Sequence, residues 1–146
     1  MSKGGWMYEI YIYILMAIVF ESAGGMIYGV AVGFDPKLVF VSTLIINILM
    51  IFVAVKVIDR LLEWKKGLRG WIDRRTARGQ RLIHKYAWIG IIAGIFVLSP
   101  IQTAIVAKLL GIKPNKFYPP LIVGTVLGAI VSMGIALGIF KVILGW

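Results

Sequence analysis

Four long apolar stretches, separated by short polar breaks, run through most of the chain. They cover residues 7–34, 38–58, 86–112 and 117–144. The first is interrupted by Glu21 and by the pair Gly24–Gly25, and the third by Ser99–Pro100, whereas the other two are unbroken. None shows the strict alternation of polar and apolar residues that a barrel strand needs. The pattern therefore predicts an all-α protein.

Composition indicates that these helices lie in lipid. Apolar residues make up 60% of the chain and charged residues 15%, and the mean hydropathy is +0.93. Soluble domains are about half apolar and a quarter charged, so a water-soluble enzyme is not expected. The chain has no cysteine and one histidine, His84. This excludes disulfides, thiolate catalysis and Cys- or His-rich metal sites, so we expect no catalytic residue, metal or cofactor.

The positive charge is concentrated in one segment. The net charge is +10, and nine of the sixteen basic residues fall between Arg60 and Lys85. Such a segment beside apolar spans is typical of the cytoplasmic face of a membrane, and we expect no nucleic-acid partner. Apolar residues within it recur on one helical face, at Leu61, Trp64, Leu68 and Trp71. They are followed by arginines predicted to face anionic lipid: Arg74, Arg75, Arg78 and Arg81. A solvated connector is the alternative.

The two halves of the chain follow the same plan. An offset of 78 residues places Gly33-Phe34-Asp35-Pro36 on Gly111-Ile112-Lys113-Pro114 and Glu21 on Ser99. Each half has a broken apolar segment, a Gly-x-x-Pro turn and an unbroken segment. We therefore predict one membrane domain, 1–146, with repeats at about 7–58 and 86–144 joined by an amphipathic basic linker, 59–85. Interrupted segments at corresponding positions indicate the site of a transporter-type repeat.

The broken segments allow two architectures. As one helix, residues 7–34 would be about 42 Å long against a hydrocarbon core of about 30 Å. As a re-entrant hairpin, each arm would reach about 20 Å. We favour two inverted repeats, each a re-entrant hairpin plus one transmembrane helix, because this satisfies the positive-inside rule slightly better. Four full transmembrane helices are the alternative. Re-entrant backbone must be buried in protein, so we also expect a homodimer.

Glu21 is the principal candidate site residue. An ionisable side chain in the middle of an apolar segment is costly, and it is a functional candidate by default because it can bind a proton or a cation. Other polar residues near the breaks or within the spans would line the same cavity: Asn47, Ser99, Pro100, Gln102, Thr103 and Lys108. Lys108 could face an anionic headgroup, although snorkelling to the surface would also explain it. A helix–helix contact could likewise explain Asn47. Gln102 and Thr103 could instead bond the backbone carbonyl freed by Pro100.

Several of these motifs resemble a known family. The run from Glu21 to Gly29, then Gly33–Pro36 and a span containing Asn47, resembles the opening of the putative small multidrug export protein family. The second half, with Pro100 and residues 107–111, is similar to the rest of that family. More distantly the chain resembles the DedA/VTT membrane proteins, which implies paired re-entrant hairpins and lipid-related transport. The putative small multidrug export protein family tends to have Arg and Pro at the positions where this chain has Ala23 and Ile27.

These observations predict a transporter in the inner or plasma membrane that moves a small molecule or amphiphile by means of Glu21. It would be multi-pass, with the linker 59–85 cytoplasmic and membrane lipids as partners. A DedA-like lipid or lipid-phosphate flippase or scramblase is the first alternative, using Lys108, Lys113 and the arginines. A membrane scaffold that transports nothing is the second.

Overall fold

The computed structural model describes residues 3–64, 67, 70, 74 and 80–144, and these residues are helical apart from short turns. They form six helices, which we label α1 (Lys3–Val19), α2 (Glu21–Ala31), α3 (Pro36–Trp64), α4 (Gln80–Val97), α5 (Pro100–Leu109) and α6 (Pro114–Leu144). No described residue lies in a strand. The prediction of an all-α protein is confirmed.

Each broken apolar segment is a helical hairpin. A methyl group added at Gly25 in α2 would lie 2.8 Å from the Cβ of Ala17 in α1. Residues eight apart in a continuous helix are separated by about 12 Å, so the chain folds back between them. In the second hairpin, a methyl group at Gly94 would lie 3.1 Å from Thr103 Cγ2. The chain turns at Glu21 and Ser99, whereas Gly24–Gly25, which were predicted to interrupt the first segment, lie inside α2.

Positive φ angles recur at corresponding positions of the two hairpins. Among the described residues, positive φ angles occur at four positions, which form two pairs separated by 78 residues: Glu21 (54°) with Ser99 (154°), and Gly33 (82°) with Gly111 (71°). The turn after each hairpin also closes with the same bond. Phe34 N donates to Gly29 O at 3.0 Å, and Ile112 N donates to Ala107 O at 3.1 Å. This is the Schellman pattern, in which a left-handed glycine ends a helix.

The long helices begin at the predicted prolines. Pro36 and Pro114 occupy the first turn, where the missing N–H costs no hydrogen bond. Asp35 caps α3 by accepting from Lys37 N at 2.9 Å and Leu38 N at 3.2 Å. Helix α3 continues to Trp64, six residues beyond the predicted end of the span, because apolar residues still recur there at helical spacing.

Most of the basic linker lies outside the described residues, including Leu68, Trp71, Arg75 and Arg78. The predicted interfacial helix therefore stays a prediction. Arg74 is exposed and donates from Nε to Gly70 O at 3.0 Å. Arg81 belongs to α4.

The helices group into two compact units, each of which takes part of both long helices. The first unit comprises Met1–Ile48 and Val126–Trp146, and the second Leu49–Thr125, as far as their residues are described. Buried side chains form a core in each. The core of the first unit includes Tyr13, Met26, Val39, Ala129 and Met133. The core of the second unit includes Ile51, Ile91, Ile95, Phe117 and Leu121.

Much of the apolar surface remains exposed. On α3, several apolar side chains are largely exposed, among them Leu38 (70% exposed), Ile45 (53%) and Leu49 (59%). Soluble monomers rarely expose contiguous apolar patches of this kind. Within the part of the chain that the structure describes, two helices are long and apolar enough to cross a membrane, Pro36–Trp64 and Pro114–Ile139. The two together support a membrane location.

Candidate functional site

Glu21 is the residue at which the first hairpin turns. Its φ of 54° lies in the left-handed region, which costs a non-glycine residue about 1–2 kcal/mol. Its carboxylate oxygen Oε2 is shielded from solvent. Strain of this kind clusters at functional sites. The sequence prediction that singled out Glu21 therefore coincides with a strained, partly buried position.

The residue after Glu21 connects the hairpin to α3. Asn47 Nδ2 donates to Ser22 Oγ at 2.6 Å. Both side chains are buried, Asn47 with 1% of its surface exposed and Ser22 with 7%. The other amide atom of Asn47, Oδ1, has no hydrogen-bond partner among the described residues. Asn47 thus holds an acceptor in a buried position, and its hydrogen bond to Ser22 places it beside the turn.

A cluster of hydroxyl groups lies on the same helix. The Tyr13 hydroxyl from α1 is 2.6 Å from Ser42 Oγ and 2.7 Å from Thr43 Oγ1, and it donates to Val39 O at 3.1 Å. Thr43 is fully buried and precedes Asn47 by one helical turn. Polar groups of α3 therefore contact both arms of the first hairpin. This cluster was not predicted from the sequence, although the four-residue spacing of Thr43 and Asn47 places them on one face of α3.

The second break has a different chemistry. Ser99 Oγ accepts from Gln102 N at 3.2 Å and caps α5, while Pro100 occupies the first position of that helix. At that position the missing N–H of proline costs no helical hydrogen bond, so Pro100 has a local structural role. The Gln102 side chain is exposed. Thr103 is only 5% exposed, and its Oγ1 has no hydrogen-bond partner among the described residues.

Lys108 is engaged within the protein. Its Nζ lies 2.8 Å from Asp59 Oδ1, and the side chains are 18% and 44% exposed respectively. This ion pair joins α5 to the end of α3 in the second unit. The sequence left an anionic headgroup and snorkelling to the surface as the two interpretations of Lys108. Asp59 lies 49 positions earlier, and no local spacing indicates the pair. The contact gives the ammonium group a carboxylate partner in the described structure.

The predicted site residues are divided between the two units. Glu21 and Asn47 belong to the first unit, and the others to the second: Ser99, Pro100, Gln102, Thr103 and Lys108. Within the described residues, no group of three or more His, Asp or Glu side chains could hold a metal ion. The buried polar groups of the first unit are instead a carboxylate, hydroxyls and an amide. Such groups bind ligands by hydrogen bonds, and a carboxylate can also take up a proton.

Comparison with known proteins identifies the family. No curated protein and no solved structure matches the chain. One family model, described as putative small multi-drug export protein, matches residues 21–131. The match begins at Glu21 and includes both Gly-x-x-Pro turns and the break at Ser99–Pro100. Because it covers about three quarters of the sequence, the chain belongs to the putative small multi-drug export protein family.

Proposed function

We propose that this protein is a membrane transporter that exports a small molecule or amphiphile, with Glu21 as its membrane-embedded carboxylate. The description of its family is that of an export protein. Two helices have the length and composition to cross a membrane, and their outer faces are apolar. These properties support transport as the class of function, and the residues at the first turn suggest how it is carried out.

The observation that carries the proposal is the environment of Glu21. The carboxylate lies at the turn of an apolar hairpin, in a strained backbone conformation and with one oxygen shielded. The adjacent Ser22 binds the buried Asn47. An acidic side chain within a membrane is costly, so such residues mark substrate or proton pathways. Protonation of Glu21 would be coupled to release of the substrate.

We further propose that both hairpins are re-entrant and that they form inverted repeats. The apolar parts of their first arms, Trp6–Val19 and Lys85–Val97, contain 14 and 13 residues, or about 20 Å of helix. This passes the midplane of a core about 30 Å thick but does not cross it. The matching turns at Gly33 and Gly111, at an offset of 78 residues, support the repeat. The basic linker 59–85 would be cytoplasmic, and a second copy would shield the hairpins in a homodimer.

Reconstituted transport tests this function. The protein is placed in proteoliposomes, and efflux of ethidium and of tetraphenylphosphonium is measured at several pH values. Glu21→Gln removes the charge and the titration while keeping the size of the side chain. Glu63→Gln is the matched control, because Glu63 is an exposed carboxylate near the end of α3.

The expected result is saturable, pH-dependent flux in the wild type and in Glu63→Gln, with at least a tenfold loss in Glu21→Gln. Flux that is insensitive to both pH and Glu21→Gln would contradict the role of the carboxylate. Wild-type liposomes no faster than empty ones for either probe would argue against export of cationic amphiphiles. A stoichiometric partner protein that copurifies in that case would favour a scaffold.

A further inference from the structure

The second unit carries all of the net positive charge of the chain. Residues 49–125 contain thirteen Lys and Arg but three Asp and Glu, whereas the rest of the chain contains three of each kind. One of the three acidic residues of the second unit, Asp59, is already paired with Lys108 at 2.8 Å. The second unit therefore has a surplus of cations that its own carboxylates cannot neutralise.

Two of these cations line a groove at the end of α3. The groove has a volume of about 570 Å³ and is lined by Lys56, Val57, Arg60, Leu61 and Trp64. Helical residues four apart are neighbours on one side of the helix, so Lys56, Arg60 and Trp64 form a row. Neither lysine nor arginine has an ion-pair partner among the described residues, although Glu63 lies one turn after Arg60. Both charges are exposed and available to an anion.

The remainder of the groove is apolar and also exposed. Val57 is 52% exposed, Leu61 48% and Trp64 81%. Tryptophan is enriched where a membrane-crossing helix reaches the headgroup level, and α3 is one of the two helices long and apolar enough to cross in the described part of the chain. A water-soluble polyanion such as nucleic acid would pair with the cations and leave these apolar side chains uncovered. A lipid with an anionic headgroup satisfies both parts of the lining.

We propose that this face of α3 binds an anionic phospholipid, with the phosphate between Lys56 and Arg60 and an acyl chain along Val57 and Leu61. A zwitterionic phospholipid binds less well, because its own ammonium group neutralises the phosphate and lies close to the same two cations. The inference requires the membrane location but neither transport nor Glu21, so it stands or falls independently of the export function.

Quenching of Trp64 by brominated lipids tests the site. The full chain is reconstituted in phosphatidylcholine vesicles with increasing fractions of brominated phosphatidylglycerol or brominated phosphatidylcholine. The difference in fluorescence between the wild type and Trp64→Phe isolates the signal of Trp64. We expect phosphatidylglycerol to bind beside Trp64 about fivefold more strongly than phosphatidylcholine, which is the effect of one basic residue at an anionic surface. The preference should weaken as salt is added, because exposed charges are screened.

A matched pair of double variants tests the role of the two cations. Lys56→Gln with Arg60→Gln, measured against its own Trp64→Phe, should abolish the preference. Lys37→Gln with Lys141→Gln removes the same charge from exposed residues of the first unit and should retain it. The proposal is overturned by a preference that survives the first double variant or by an equal loss in the second. It is also overturned by equal quenching from the two lipids in the wild type, which would show that lipid covers the groove without selection of its headgroup.

Discussion

Replacement of Asn47 by leucine separates a functional role of this amide from a stabilising one. Asn47 is 1% exposed and makes one hydrogen bond, from Nδ2 to Ser22 Oγ at 2.6 Å. Its Oδ1 is buried with no partner among the described residues. Leucine has the same number of side-chain heavy atoms in the same branched arrangement and no polar atom, so the substitution removes both the bond and the unsatisfied oxygen, but its methyl groups need more space than the amide.

The two effects on the free energy of unfolding have opposite signs. Loss of a side-chain hydrogen bond between membrane helices costs about 0.6 kcal/mol on average and about 1.7 kcal/mol at most. Removal of a buried, unsatisfied acceptor returns about 1–3 kcal/mol. The second effect is larger on average, and the greater bulk of leucine offsets part of it, so Asn47→Leu should change stability by no more than about 1 kcal/mol. Replacement of a buried asparagine that stabilises the fold would instead cost more than about 2 kcal/mol.

The assay combines stability with flux. Unfolding of the wild type, Ser22→Ala, Asn47→Leu and the double variant in mixed micelles with SDS gives the coupling energy between the two side chains, which we expect to be about 0.6–1.7 kcal/mol. Ethidium efflux should fall at least tenfold in Asn47→Leu. Destabilisation by more than about 2 kcal/mol, or normal efflux, would refute the reasoning that Asn47 serves the transport site at the expense of stability.

Two further predictions concern packing and charge. Gly25→Ala should destabilise the first unit by about 1–3 kcal/mol, because the new methyl would lie 2.8 Å from Ala17 Cβ and 3.0 Å from its Cα. The control Gly138→Ala, where the new methyl would meet open space, should be neutral or slightly stabilising in the same unfolding assay. Asp59→Lys should lower stability by about 1 kcal/mol, because it places a second positive charge beside Lys108. The double variant Asp59→Lys with Lys108→Asp should recover that stability at low salt, because it restores an ion pair with the charges exchanged. A double variant no more stable than Asp59→Lys would show that the pair contributes nothing.

The sequence was most informative where a polar residue interrupts an apolar run. Glu21 and Ser99 were both recognised as breaks, and both have the positive φ that turns the hairpin. The prediction that Gly24–Gly25 form part of the first break was wrong, because glycine permits either a bend or close helix packing. Gly25 packs against α1, and the local sequence does not indicate that contact.

Contacts between distant residues could not be read from the sequence. Asn47 was identified from its position in a span, but its partner Ser22 lies 25 residues earlier. The Lys108–Asp59 ion pair and the Tyr13–Thr43 contact depend on which helices are neighbours. Local spacing selects a face of a helix, and only the tertiary fold determines what that face meets.

The depth of the first turn in the membrane is the most direct test of the central claim, that Glu21 is a membrane-embedded carboxylate. The chain has no native cysteine, so a spin label can be attached at Ala23→Cys, an exposed position two residues from Glu21. Leu49→Cys, exposed in the middle of α3, is the lipid reference, and Asp35→Cys in the turn before α3 is the aqueous reference.

Collision with oxygen and with a water-soluble nickel complex gives the depth of each label in proteoliposomes. The account predicts that the Ala23→Cys label has the high oxygen and low nickel accessibility of Leu49→Cys. Accessibility equal to that of Asp35→Cys would place the turn in water, and it would contradict a carboxylate held within the membrane.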